Sequence, residues 1–267
     1  MPVKRLTEDA WERGVSRILF VGPPASEKTT GALTVGRGKR TGVVIYPGEG
    51  GFAVIPANDP SIIAFHLEQD DMAAKVSPGL IIKEIEQTTF DLIGGKHGEI
   101  DFFLGDGLHK LYYLYLNLAT GGALAAGEDF PAQKYGTARQ MITYYLDKVR
   151  RSSVRYAGFT LWDKYGKDDP DDKNSTKMRQ WTGLPGQYST DIVGEFGTVL
   201  YCSPDGPPKP GARQRYVWQT APTSRIGAAG IKLPAYISER IPQTVPQDWP
   251  ALEALIFGQP KQEEVKR

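Results

Sequence analysis

The segment Gly22-Pro23-Pro24-Ala25-Ser26-Glu27-Lys28-Thr29 carries the residue types and spacing best suited to chemistry. In the pattern G-x-x-x-x-G-K-[ST], backbone N–H groups cradle phosphates. The lysine reaches the outer phosphates, and the hydroxyl holds Mg2+. Gly22, Lys28 and Thr29 stand at the matching positions. Pro23, Pro24, Ala25 and Ser26 fill the variable stretch, and Thr30 follows. Glu27 stands where the second glycine belongs. A glycine there tolerates close approach to phosphate and a backbone conformation that a side chain resists. Glu27 also adds a carboxylate beside a polyanion, so nucleotide affinity is expected to be weaker than a glycine would give. The competing reading is a Gly-Pro-Pro turn before a helix. The order of apolar strand, loop, Lys-Thr and helix favours the phosphate loop.

Two carboxylates have matching positions. Asp106 closes the apolar run Asp101-Phe102-Phe103-Leu104-Gly105-Asp106. From a strand's C-terminal end it would hold Mg2+ through water, with Thr29 as the other protein ligand. Glu49 follows the second strand, in Tyr46-Pro47-Gly48-Glu49-Gly50-Gly51, where a carboxylate can orient and activate an attacking water. Its competing reading is a solvated loop glutamate. Trp162 and Asp163 end a later strand, where a γ-phosphate sensor would sit, with Thr160 as another candidate. His66, His97 and His109 are the three histidines. They lack metal-ligand spacing, and no zinc site is expected. The one cysteine, Cys202, lies in an apolar run and reads as packing. It allows no disulfide framework, which fits a reducing compartment.

The elements that position these residues follow from periodicity. Strands are expected at Arg17 to Val21, Gly42 to Tyr46, Ile62 to Leu67, Ile100 to Leu104 and Tyr156 to Trp162. Helices are expected from Lys28, over Gly79 to Ile93 (Leu80, Ile81, Ile85 and Phe90 on one side), Leu108 to Ala119 and Gln133 to Ser152. Gly121 to Phe130 reads as a loop, and Asp163 to Tyr188 as a long, mobile polar loop. Phe196 to Cys202 and Arg215 to Thr220 read as a hairpin. The fold class is therefore α/β, a mainly parallel sheet flanked by helices with a C-terminal antiparallel hairpin at its edge. One domain spans 1–257, and 258–267 is a polar, flexible tail. The net charge of +1 gives no bulk attraction to a polyanion. Met1 to Gly14 has no signal-peptide core, and no run approaches the ~20 apolar residues of a membrane span. A soluble, cytoplasmic protein with no membrane partner is expected.

Taken in order, these features resemble the phage-encoded RecA-like P-loop ATPases, small single-domain relatives of the strand-exchange recombinases. The resemblance rests on Gly22 to Thr30, Glu49-Gly50-Gly51, Asp106, Trp162-Asp163 and Leu184-Pro185-Gly186, and spans roughly Arg17 to Pro234. It implies a RecA-like core using ATP and Mg2+, with a degenerate Walker A at Glu27. It also implies a homo-oligomer, ring or filament, acting on single-stranded DNA in recombination or annealing, in the cytoplasm of a bacterial host. Lys28 and Glu49 would be catalytic. Arg225 would reach a neighbouring subunit's site; its other reading is an exposed loop arginine. DNA would pass by Gly121 to Tyr135 and Lys164 to Gln187. The second stretch carries Lys164, Lys167, Lys173, Lys177 and Arg179, with Tyr165 and Trp181 for stacking. Asp168, Asp169, Asp171 and Asp172 oppose them. The alternative function is a degenerate P-loop module that assembles or holds DNA without hydrolysing ATP. A small-molecule kinase ranks last, because no arginine cluster of a lid is found.

Overall fold

A computed structural model describes residues 14–67, 77–167, 178–185, 187–207, 211, 214–233 and 235–258. The first strand, β1 (Arg17–Gly22), is buried along its whole length. Its apolar residues divide by parity. Leu19 and Val21 face one core cluster, while Ile18 and Phe20 face the other. Successive strand side chains point to opposite faces, so a strand apolar at every position belongs between two helical layers.

After the short helix α1 (Lys28–Leu33) come β2 (Thr41–Ile45), β3 (Ile62–His66), α2 (Pro78–Ile93), β4 (Phe102–Asp106) and α3 (Leu108–Ala119). The chain continues through α4 (Ala123–Ala126), α5 (Gln133–Arg151), β5 (Tyr156–Lys167) and β6 (Met178–Thr182). It ends with α6 (Tyr188–Gly194), β7 (Thr198–Pro204), β8 (Tyr216–Gln219), β9 (Gly230–Ile231), α7 (Ala235–Ser238), β10 (Thr244–Pro246) and α8 (Trp249–Phe257). The sheet order is β10-β8-β7-β1-β5-β4-β2-β3. From β3 to β7 the pairs are parallel; β7, β8 and β10 pair antiparallel at the edge. Ile85, Leu111, Ile142 and Ile192, from α2, α3, α5 and α6, pack on one face. Ala32 with Trp249, Leu252 and Ile256 of α8 pack on the other.

Parallel pairing brings carboxyl ends to one sheet edge. Gly22 pairs with Trp162, and Ile45 with Asp106. The loop after β1, Glu49 after β2, Asp106 ending β4 and Thr160 in β5 therefore converge, where ligands of open α/β sheets bind.

Three local expectations are corrected. Asp163 to Tyr188 is not one loop, because β5 runs on to Lys167 and pairs antiparallel with β6 as a ribbon leaving the sheet. Asp168, Asp169, Asp171, Asp172, Lys173 and Lys177 lie outside the described residues. Leu80 is 59% exposed, because the first turn of α2 directs it outward; Ile81, Ile82, Ile85 and Leu92 form the buried face. The Gly121 to Phe130 loop contains α4, bracketed by Gly122 and Gly127 in left-handed conformations. Residues 259–267 of the expected tail lie outside the described residues. No described helix is long and apolar enough to cross a membrane.

Candidate nucleotide site

The loop after β1 is tight. Ser26 N–H donates to the Pro23 carbonyl at 3.3 Å, and Glu27 caps α1 by accepting from Gly31 N–H at 2.8 Å. Ala25 (φ 60°) and Glu27 (φ 56°) are the two non-glycine residues with positive φ among the described residues. Glu27 thus occupies the second-glycine position in the left-handed conformation that glycine adopts freely. For a side-chain residue this costs roughly 1–2 kcal/mol. Gly22 has no room for a side chain: an ideal Cβ would lie 2.8 Å from both the Cys202 carbonyl oxygen and Ser26 Oγ. Cys202 is fully buried, and burial pushes its thiol up to about 12.

Lys28 turns back on this loop. Its Nζ donates to the carbonyls of Gly22 (3.0 Å) and Pro23 (2.6 Å). Burial holds its pKa below the ordinary lysine value, against the pull of the surrounding acidic groups. Reaching a phosphate requires exchanging these carbonyls for phosphate oxygens.

Across β5, Thr29 Oγ1 donates to Asp106 Oδ1 at 3.0 Å. Thr160 Oγ1 donates to the same oxygen at 2.5 Å, and Gly107 N–H donates to Thr160 Oγ1 at 2.8 Å. Asp106 is 2% exposed, and its other oxygen, Oδ2, has no hydrogen-bond partner. Burial raises its pKa, while the two hydroxyl donors pull it back. A buried, unpartnered carboxylate oxygen beside a hydroxyl is a hard-oxygen set that suits Mg2+. Gly51 closes over it: an ideal Cβ there would lie 1.7 Å from Asp106 Oδ2.

Glu49 lies over Gly107, where an ideal Cβ would come 2.3 Å from Glu49 Cγ; Gly107 itself has φ +98°. Glu49 Oε1 is 3.0 Å from His109 Nε2, and the His109 ring stacks on Trp162 at 4.4 Å between centroids. Glu49 and Trp162 line a cavity of ≈ 450 Å³, within the range of small-molecule sites; His109 lies behind them, outside the lining.

Of the residues expected at the site, Pro24, Ala25, Ser26, Glu27, Lys28, Thr29, Thr30, Glu49 and Asp106 line this cavity, as do Thr160 and Trp162. Gly22 and Pro23 underlie it and receive Lys28. Asp163 is not in the lining; it accepts the Tyr201 hydroxyl at 2.5 Å. Arg225 is exposed and outside the lining, in a turn held by Thr223 Oγ1. Among the basic and aromatic ribbon residues, Lys164 donates inward to the Leu184 carbonyl. Trp181 is half-buried against Gly227.

Histidine spacing argues against a zinc site and gives His109 no other role. The legible signal was its place three residues after Asp106, on the buried side of α3 with Leu108 and Leu111. Gln247 was missed too. It follows β10 and reaches the loop, its Nε2 donating to Ser26 O at 3.4 Å. Nothing local marked it.

The strand bearing Asp106 is separated from the phosphate-loop strand by β5 alone, and Thr29 closes that gap. The chain has an α/β fold, a mostly parallel sheet flanked by helices with antiparallel strands at one edge. No protein-family model matches the sequence, and no curated protein matches it. Among solved structures, the assembled ATPase EscN from the enteropathogenic E. coli type III secretion system is similar. The TM-score is 0.43 with 11% identity over 70% of this chain. This chain spans 42% of the EscN chain.

Proposed function

We propose that this chain binds ATP with Mg2+ in the cavity over α1 and hydrolyses it. The observation that carries this reading is the Thr29–Asp106 pair, with Asp106 Oδ2 buried and unpartnered. The loop N–H groups and Lys28 would hold the phosphates. Thr29 and Asp106 would hold the ion, whose positive charge neutralises the phosphate oxygens. Glu49 would orient a water and take its proton as the water oxygen bonds to the terminal phosphorus. The bond to the bridging oxygen then breaks, leaving ADP and phosphate.

The finer reading, a ring or filament acting on single-stranded DNA in recombination or annealing, comes from the sequence resemblance. So does its setting in a bacterial host's cytoplasm. An exposed Arg225 outside its own subunit's cavity suits a residue that acts in a neighbour. The test is phosphate release with and without single-stranded DNA. Turnover should require Mg2+, rise with the DNA and vanish in Lys28→Ala. Turnover unchanged in Lys28→Ala rules the site out.

A second reading, a binding module without hydrolysis, is favoured by Glu27 in a left-handed conformation and by Lys28 bonded to its own loop. Under it, nucleotide binds weakly without turnover, and Glu27→Gly raises affinity.

A further inference from the structure

The contacts of Glu49 single out one residue that the motif does not include. Glu49 Oε1 is buried, and His109 Nε2 stands 3.0 Å from it, with side-chain exposures of 10% and 5%. The two atoms stand at ion-pair distance, and neither has a hydrogen bond among the described residues. The orientation of the ring is set elsewhere. Its face lies on the Trp162 indole, 30° from parallel, and Lys110 Nζ sits 5.1 Å from the same indole. Gly107 leaves the space through which the Glu49 side chain runs. Trp162 is the β5 residue paired with Gly22 of the phosphate loop, and from the next residue onward β5 pairs with β6 in the ribbon. A side-chain path therefore runs from the base of the ribbon through Trp162 and His109 to Glu49.

We infer that His109 is the positioning residue for Glu49, with Trp162 as the plate that fixes the His109 ring. This rests on the proposed reading of Glu49 as the residue that orients the attacking water. A carboxylate with that task must be held in one orientation by groups that are themselves fixed. His109 places a polar atom at contact distance from Oε1, and its ring is held by stacking on Trp162. The ring is thus set independently of the carboxylate, and a displacement of Trp162 moves both.

The test compares His109→Leu and His109→Gln with the unaltered chain. It reads kcat, KM, the Kd of a fluorescent ATP analogue and the melting midpoint. Leucine should lower kcat by about ten- to a hundredfold, the scale of losing a residue that orients a functional group. KM and Kd should stay within error. Glutamine, which keeps an N–H near the reach of Nε2, should recover most of the loss. An unchanged kcat in His109→Leu overturns the inference. So does a joint fall of kcat, Kd and midpoint that glutamine fails to rescue, since that is a packing effect.

A second readout needs no turnover. The chain has 5 tryptophans, so the Trp162 emission is taken as the difference from Trp162→Phe. In nucleotide-free protein, His109→Leu should change that emission, because the imidazole stacks on the indole. An unchanged signal overturns the linkage. Bound nucleotide without turnover in the unaltered chain would instead contradict hydrolysis, leaving the emission to decide the linkage.

Discussion

Thr29 and Asp106 lie 77 residues apart and meet at 3.0 Å, hydroxyl to carboxylate oxygen. The contact joins the start of α1 to the end of β4 across an intervening strand. It ties the loop after β1 to the carboxyl end of β4, and it leaves Asp106 Oδ2 buried with no partner.

Asp106→Asn tests this arrangement through pH. Burial raises the folded-state pKa of Asp106 above its usual 3.8. The folded chain then holds the proton more tightly than the unfolded chain. The group's stabilising contribution is full below the ordinary carboxylate pKa and is lost as pH rises through the folded value. At neutral pH, asparagine should therefore raise the melting midpoint of the nucleotide-free protein. The advantage should vanish as pH falls into the ordinary carboxylate range. The same variant should lose Mg2+-dependent nucleotide binding. A lower midpoint at neutral pH would contradict the buried-charge account.

Glu27→Gly should relieve the left-handed strain at φ 56°. Expected is a gain of about 1 kcal/mol, read as a rise of roughly 2–4 °C in melting midpoint. Nucleotide affinity should rise with it. A stability gain without tighter binding would mean that the backbone strain is real but the carboxylate is no obstacle to phosphate.

Gly50 and Gly51 make a paired control. An alanine Cβ at Gly51 would meet Asp106 Oδ2 at 1.7 Å, whereas Gly50 has open space around it. Gly51→Ala should cost about 1–3 kcal/mol in stability and abolish Mg2+-dependent binding. Gly50→Ala should do neither. Denaturant melts and nucleotide titrations of both variants decide this; equal behaviour would deny the close packing of Gly51 on the carboxylate.

The mainly parallel sheet, the alternation of β and α units and most residues that line the cavity are legible in the sequence because buried parallel strands read as unbroken apolar runs. Phosphate loops also have a fixed spacing. Asp106 was found from four apolar residues before a carboxylate. His109 was not, because its role depends on Glu49, 60 positions upstream by residue number, and on Trp162 in another strand. Its geometry exists only once the sheet has formed. The ribbon of β5 and β6 reads as a loop in the sequence because charge and glycine mask the pairing of Asp163 to Lys167 with Met178 to Thr182. The edge strand β10 has three residues, too few for an alternation to register.

If Arg225 acts in a neighbouring subunit, defects should complement. Lys28→Ala and Arg225→Ala would each lack turnover alone. In a mixture, an intact Arg225 from one variant meets an intact Lys28 site of the other. Phosphate release should then reappear in the mixture and depend on total protein concentration. A mixture as inactive as its components would remove Arg225 from the mechanism.

The most direct test is titration of a fluorescent ATP analogue, with Mg2+, into the unaltered chain and Lys28→Ala. The account predicts saturable binding to the unaltered chain, lost in the variant and on removal of Mg2+. Equal binding by both chains, or none by the unaltered chain, would contradict a working phosphate loop at Gly22 to Thr29.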